Sequence, residues 1–293
     1  MKKGLQYIFK IIVFLGAVCT LLLMVIITAH IFQESYPAFS KIGIGKLFNL
    51  DGDWRPLNNN PSYSIMTSIA GTLYVSGIAV IISVFFGIGC ALFLNFYLPK
   101  NVAKICLSFI DIVAGIPSVI FGFIGLTILV KWFENNLSMT SGECVLAAGI
   151  LLSIMLIPFV VSTCSESIDR SRNKYEHTAL SLGFSREIFI VKILLPSLKI
   201  SVITSTMMAF GRGLGETMAV MMVIGNSPIY PKLLGRAQTI PALTALEMGS
   251  VGFGSLHLSA LYAANLVLLI ILTVVFGIGY MFKRRLNQDE ETN

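Results

Sequence analysis

Arg212 and Glu216 stand four residues apart in the stretch GRGLGETMAV, residues 211–220, and no other charge falls between Lys199 and Lys232. That spacing predicts two side chains on one face of a helix, one above the other. Each charge at the centre of a bilayer costs about 2.5–3.5 kcal/mol on insertion scales unless it is partnered or hydrated. Two roles fit: the residues neutralise each other and merely join helices, or they line a water-filled path where the guanidinium meets an anion. The second is expected, because small polar residues join helices at lower cost. Arginine keeps its charge at any accessible pH and offers a planar fork matched to phosphate or carboxylate oxygens. Glu216 is expected to hold that fork between anions, and to accept a hydrogen bond from an anion that carries its own proton, which favours phosphate over sulfate. Gly211, Gly213 and Gly215, with a GxxxG spacing from 211 to 215, suit close helix approach and a path that shuts.

Asp111 adds a third charge in an apolar run, DIVAGIPSVIFGF, six residues before Pro117. Proline inside a spanning helix frees a carbonyl and kinks the chain, which is tolerated where the backbone faces protein or water. Asp111 lies about two turns from the end of its span at 1.5 Å per residue. Lining the path, and capping a neighbouring helix or touching the adjoining loop, are equally open roles for it.

Other chemistries find no residues to carry them. No phosphate loop of the GxxxxGK[ST] type, no HExxH and no GxSxG occurs, so neither nucleotide hydrolysis nor another catalytic reaction is expected of this chain. His30, His177 and His257 are isolated, and the five cysteines follow no metal spacing. No metal or cofactor is expected, and the cysteines read as small packing residues.

The elements that must position these charges are spans. Hydrophobic residues make up 55% of the 293 and charged residues 12%, well below the roughly 25% of a soluble domain. Apolar runs of about 20 residues or more, the length that crosses a bilayer, cover residues 7–32, 65–97, 105–133, 144–168, 198–225 and 258–282. An all-α polytopic membrane protein with six spans follows. The start resembles a signal sequence, but its apolar run is too long and ends without a cleavage pattern, so it counts as the first span. With both termini cytoplasmic, 14 Lys and Arg fall inside and 6 outside, with Arg212 alone in the membrane; this bias sets the orientation. The net charge of +6 is scattered over loops with no basic stripe, so no nucleic acid is expected.

Residues 1–64 form the first helix and an external, turn-rich loop, 65–282 the core, and 283–293 a basic stop-transfer cluster with a disordered cytoplasmic end. Within the core, 169–199 is a long amphipathic cytoplasmic segment: a helix, a turn at Gly183, and a second helix ending near Pro196. Its length and surface suit docking of a soluble partner. Residues 226–257 are external, with a short half-apolar helix around 240–249 facing either a partner or a neighbouring helix.

That cytoplasmic segment resembles the coupling loop of ABC importer permeases, whose pattern is EAA, three residues, Gly and, thirteen positions later, the Pro of an LP pair. Gly183, Leu195 and Pro196 match the spacing, and Thr178 and Ala179 fill the small positions. The usual glutamate position holds His177, with Glu176 one residue early. Residues 211–220 with VIGNSP following, DIVAGIPSVIFGF, and LAAGILLSIMLIPFVVS in the fourth span resemble the phosphate-importer branch of the family. The resemblance implies a type I importer permease (MetI-like) fold in a bacterial plasma membrane and uptake of inorganic phosphate. It also implies a paralogous permease, an ATPase dimer docking at the loop around Gly183, and an extracytoplasmic phosphate-binding protein. The nearest alternatives are a permease for sulfate or molybdate and an ion-coupled secondary carrier.

Overall fold

The structure, a computed structural model, describes the backbone of residues 2–137 and 139–292 and the side chains of residues 6–137 and 139–286. Helix α1 (Lys2–Lys41) leads to a short α2 (Ile44–Leu47) and a two-residue antiparallel ribbon, β1 (Trp54–Arg55) with β2 (Ser62–Tyr63). Then follow α3 (Met66–Phe96), α4 (Lys100–Ala114), α5 (Ser118–Ile124), a π-helical turn (Gly125–Val130) and α6 (Lys131–Asn136). The long α7 (Val145–Ser181) precedes α8 (Arg186–Phe189), a second π-helical turn (Ile190–Leu194) and α9 (Leu195–Ser197). The chain closes with α10 (Lys199–Leu214), α11 (Met218–Val223), α12 (Ile240–Glu247) and α13 (Leu256–Thr292). Five described helices are long and apolar enough to cross a membrane. Arg186–Ser197 and Lys199–Leu214, bent by 58°, make a sixth if taken as one span.

Two expected spans are broken. The third does not run from 105 to 133: α4 ends at Ala114, and Pro117 caps a separate span, Ser118–Asn136. Pro117 therefore stands just ahead of a helix rather than kinking one, where its missing N–H breaks no bond of the helix. The fifth is interrupted at residues 215–217, where α10 stops and α11 begins. Beyond residue 282 the chain stays helical through Thr292, in place of the expected disordered end. Its Lys, Arg, Leu and Gln are good helix formers with no Gly or Pro to break the turn. Side chains 287–293, and those of Lys2 and Lys3, lie outside the described residues.

Packing follows the membrane pattern of small residues inside and large apolar ones outside. On α3 the buried face carries Thr72, Ser76, Ala79, Ser83, Gly87 and Ala91, while Ile81, Phe85 and Phe93 face outward. Side chains four apart lie on one helix face, and small ones let α7 come close. A Cβ on Gly87 would stand 2.7 Å from Val160, and one on Gly149 of α7 would stand 2.7 Å from Ile78.

Helices α7 and α10 run antiparallel along a ladder of small polar side chains. The hydroxyls of Ser197, on α9 just ahead of α10, and Ser171 meet at 3.0 Å, Ser201 donates to Ser167 at 2.7 Å, and the Cys164 sulfur and Ser205 hydroxyl meet at 4.0 Å. Two rungs further, Gly213 packs against Leu152, Leu156 and Ser76. The ladder thus leads to the residue beside Arg212.

At one end of the molecule a second core joins the ribbon to α12 and α13. The Trp54 indole donates to both oxygens of Glu247 at 2.9 Å, and His257 Nε2 lies 2.6 Å from the same carboxylate. Burial among these groups raises the Tyr63 phenol above its ordinary pKa. His257 is therefore not isolated. The expected helix around 240–249 exists, but Ile240–Leu243 are buried, and Thr72 of α3 accepts the first N–H of α12 at 2.9 Å. Its exposed side is left to residues such as Leu246 and Met248.

Candidate functional site: a guanidinium strip and a clamped loop

Helix α10 ends at Gly215 for a local reason: three glycines in five residues weaken it. That ending separates the two charges the spacing put on one face. Glu216 lies beyond the helix and accepts the Ala219 N–H at 3.3 Å, capping the start of α11. No ion pair joins Arg212 to Glu216 among the described residues. The expected Arg212–Glu216 pairing is thus corrected, because an i,i+4 pair needs a continuous turn between its members.

Arg212 stacks instead on α7. Its guanidinium carbon stands 4.5 Å above the centroid of Phe159, and the residue is exposed. Three positions on, Ser162 donates to Asp111 Oδ1 at 3.1 Å. Residues three apart are neighbours on a helix face, so α7 brings Arg212 and Asp111, 101 positions apart in sequence, onto one strip. Asp111 is exposed rather than buried, because α4 packs beside α7 as a separate amphipathic helix. Phe159 and Ser162 carry no charge and sit in an apolar run, so nothing in their residue types singled them out.

The three glycines divide their duties. A Cβ at Gly211 would stand 2.6 Å from the Phe276 ring of α13, so close approach needs glycine there. Gly213 makes ordinary contact, and Gly215 is exposed at the helix end. The expected GxxxG face is therefore not one contact surface.

The segment around Gly183 forms as expected in outline, but its first helix is the continuation of α7, 37 residues long and about 55 Å at 1.5 Å per residue. Gly183, at φ +79°, closes it: its N–H donates to Leu180 O, and the Phe184 N–H donates to Ala179 O. This double bond pattern is the glycine-terminated helix ending that a left-handed residue permits. Ser185 caps α8 through the Ile188 N–H. Glu187 is held below the ordinary carboxylate range, first by its backbone N–H and then by the Ser185 hydroxyl.

Glu176 is not free: Arg172 Nε donates to it at 2.6 Å. His177 and Thr178 are exposed, Ala179 is buried, and Leu195 and Pro196 face outward beside the bend into α10. The residues missing from the expected set are Arg172 and Arg186, which donate to the Asn95 and Phe96 carbonyls of α3 at 2.8 and 3.0 Å. Their charges matched the inside bias, yet their partner is a backbone distant in sequence, which leaves no sequence signal. No described group of three or more His, Cys, Asp or Glu could hold a metal ion.

Comparison with known proteins places this architecture. Residues 83–288 match the family described as binding-protein-dependent transport system inner membrane component. A probable phosphate transport system permease protein PstC of Methanocaldococcus jannaschii is 33% identical over 97% of this chain and 96% of its own. The PstC of Pasteurella multocida is 31% identical over 92% and 88%, and the probable ABC transporter permease YqgH of Bacillus subtilis 30% over 91% and 88%. Among solved structures, a bacterial alginate ABC transporter, in complex with alginate pentasaccharide-bound periplasmic protein, aligns at TM-score 0.62 and 15% identity, covering 92% of this chain and 94% of that one. The inward-facing methionine transporter MetNI aligns at TM-score 0.59 and 13% identity over 74% and 94%. These likenesses show the MetI-like importer permease fold, and the match over most of the core shows that the chain belongs to the binding-protein-dependent ABC importer permeases.

Proposed function

We propose that this permease carries inorganic phosphate inward, in a complex with a paralogous PstA-like permease, a PstB-like ATPase dimer and a PstS-like extracytoplasmic binding protein. The names of the PstC relatives support the substrate. The observation that carries the chemistry is Arg212: a permanent positive charge, exposed on the α7 strip and seated on a neutral ring rather than on a carboxylate. A cation–π seat is worth about 0.5–1 kcal/mol at an exposed site, up to 2 or more when desolvated. Charge-assisted, bidentate bonds to phosphate are the stronger kind. An arriving anion therefore meets the guanidinium on its Phe159 seat, without first breaking an ion pair.

Both termini lie in the cytoplasm in this reading, supported by the distribution of Lys and Arg. Residues 169–199 then face the ATPase, where His177, Thr178, Leu180 and Leu182 offer an exposed surface. ATP is hydrolysed by that partner, and the two permeases rock around the central site. Asp111, anchored through Ser162, marks the border of the same strip.

Uptake of radiolabelled phosphate, in cells lacking their own importer and supplied with this chain and its partners, tests the reading. ATP-dependent uptake that collapses with Arg212→Gln at matched membrane levels is expected. Normal transport by that variant removes Arg212 from the path. Uptake of sulfate or molybdate with no phosphate uptake reassigns the substrate.

A further inference from the structure

We infer that Arg172 and Arg186 are positioning residues that carry displacement of the 169–199 segment into α3. The inference rests on the proposed docking of the ATPase at that segment.

The last carbonyls of any helix lack partners within it, and the negative end of the helix dipole favours a cation there. In α3 these groups are met by two guanidinium groups: Arg172 on Asn95 O at 2.8 Å and Arg186 on Phe96 O at 3.0 Å. The two arginines flank the Gly183 turn, one on α7 and one on α8. Both limbs of the segment therefore grip a single helix end. Arg172 uses two of its three nitrogens, Nε on Glu176 and Nη1 on Asn95, and its carbon lies 5.3 Å over the Phe96 ring. Phe96 and Phe189 of α8 are both buried, with ring centroids 6.3 Å apart, so the grip is packed as well as bonded.

What α3 reaches gives the clamp its purpose. Ser76, five turns up the same helix, packs against Gly213, the neighbour of Arg212. Between the two, Gly87 of α3 meets Val160 of α7 with no room for a methyl group. A push on the segment thus moves the end of α3 together with α7, and α3 delivers it beside the guanidinium. Glu176, committed to Arg172, serves the clamp rather than the docking surface.

The test uses the complete importer in proteoliposomes and reads anion taken up per ATP hydrolysed. The Arg172→Gln, Arg186→Gln double variant is expected to keep basal hydrolysis within twofold and to lose tenfold or more in uptake per ATP. An unchanged ratio overturns the inference. Should the double variant not assemble, Arg172→Lys decides: lysine keeps the charge but offers a single nitrogen in place of the two that serve Glu176 and Asn95, so a loss of at least threefold is expected, and an unaltered ratio rejects the clamp. Arg186→Lys, which needs only one bond, is expected to keep at least half the ratio. Cross-linking of Leu182→Cys to the ATPase reports docking separately: its absence sinks the placement of the ATPase, whereas its persistence in the double variant shows that only transmission failed.

Discussion

The Arg212 guanidinium rests 4.5 Å above the ring of Phe159, and Glu216, four residues further on, is turned to the N–H of Ala219. A charge seated on a quadrupole is held loosely and keeps its full attraction for an anion, whereas a charge paired with a carboxylate must first be released.

Replacing the ring should therefore show in transport. Phe159→Leu is expected to lower phosphate uptake about two- to fivefold, matching loss of about 0.5–1 kcal/mol from the seat. Phe159→Tyr keeps a π face and should stay within twofold. Equal uptake by both variants and the parent protein dismisses the ring.

Glu216 has a structural duty in this arrangement. Glu216→Ala removes the acceptor at the start of α11 and is expected to cost about 0.5–2 kcal/mol, the range for losing a helix cap. Thermal unfolding of the detergent-solubilised protein would register it. Uptake at matched levels should fall far less than with Arg212→Gln, and an equal fall would restore Glu216 to the path.

Close packing of α3 on α7 should resist a single methyl group. Gly87→Ala or Gly149→Ala drives a Cβ to 2.7 Å from Val160 or Ile78, at an expected cost of about 1–3 kcal/mol by overpacking. Gly77→Ala is the control, since nothing lies within 4 Å of its added carbon. Equal stability of all three variants would show that the seam relaxes freely.

The hydroxyl ladder between α7 and α10 should be cheap to break one rung at a time. The Ser197 hydroxyl donates to Leu194 O at 2.8 Å, a bond that does not depend on α7. A double-mutant cycle on Ser167→Ala and Ser201→Ala is expected to give about 0.6 kcal/mol, the average for hydrogen bonds between membrane helices. A value above 2 kcal/mol would mean that the ladder locks the helices.

In the second core, Trp54→Phe keeps an aromatic ring but deprives Glu247 of its indole donor. A loss of about 1.5–3 kcal/mol, as for a hydrogen bond to a charged group, is expected. Unchanged melting would show that His257 alone holds the carboxylate.

The sequence by itself determined the membrane class, the approximate position of the spans, the Gly183 turn and the presence of Arg212 in an apolar stretch. These depend on composition, run length and local backbone demands, which a chain carries wherever it folds. Only the tertiary structure decided what each charge touches. The i,i+4 rule joined Arg212 to Glu216, but it holds within an unbroken helix, and α10 stops between them. Pro117 was visible as a disturbance, yet whether it kinks one helix or opens another depends on how α4 packs on α7. Phe159 and Ser162 carry no signal in an apolar run, and the carbonyls of Asn95 and Phe96 have no residue type at all. Their roles come from helices distant in sequence meeting at hydrogen-bond and ring-contact distances, which spacing along one chain does not encode.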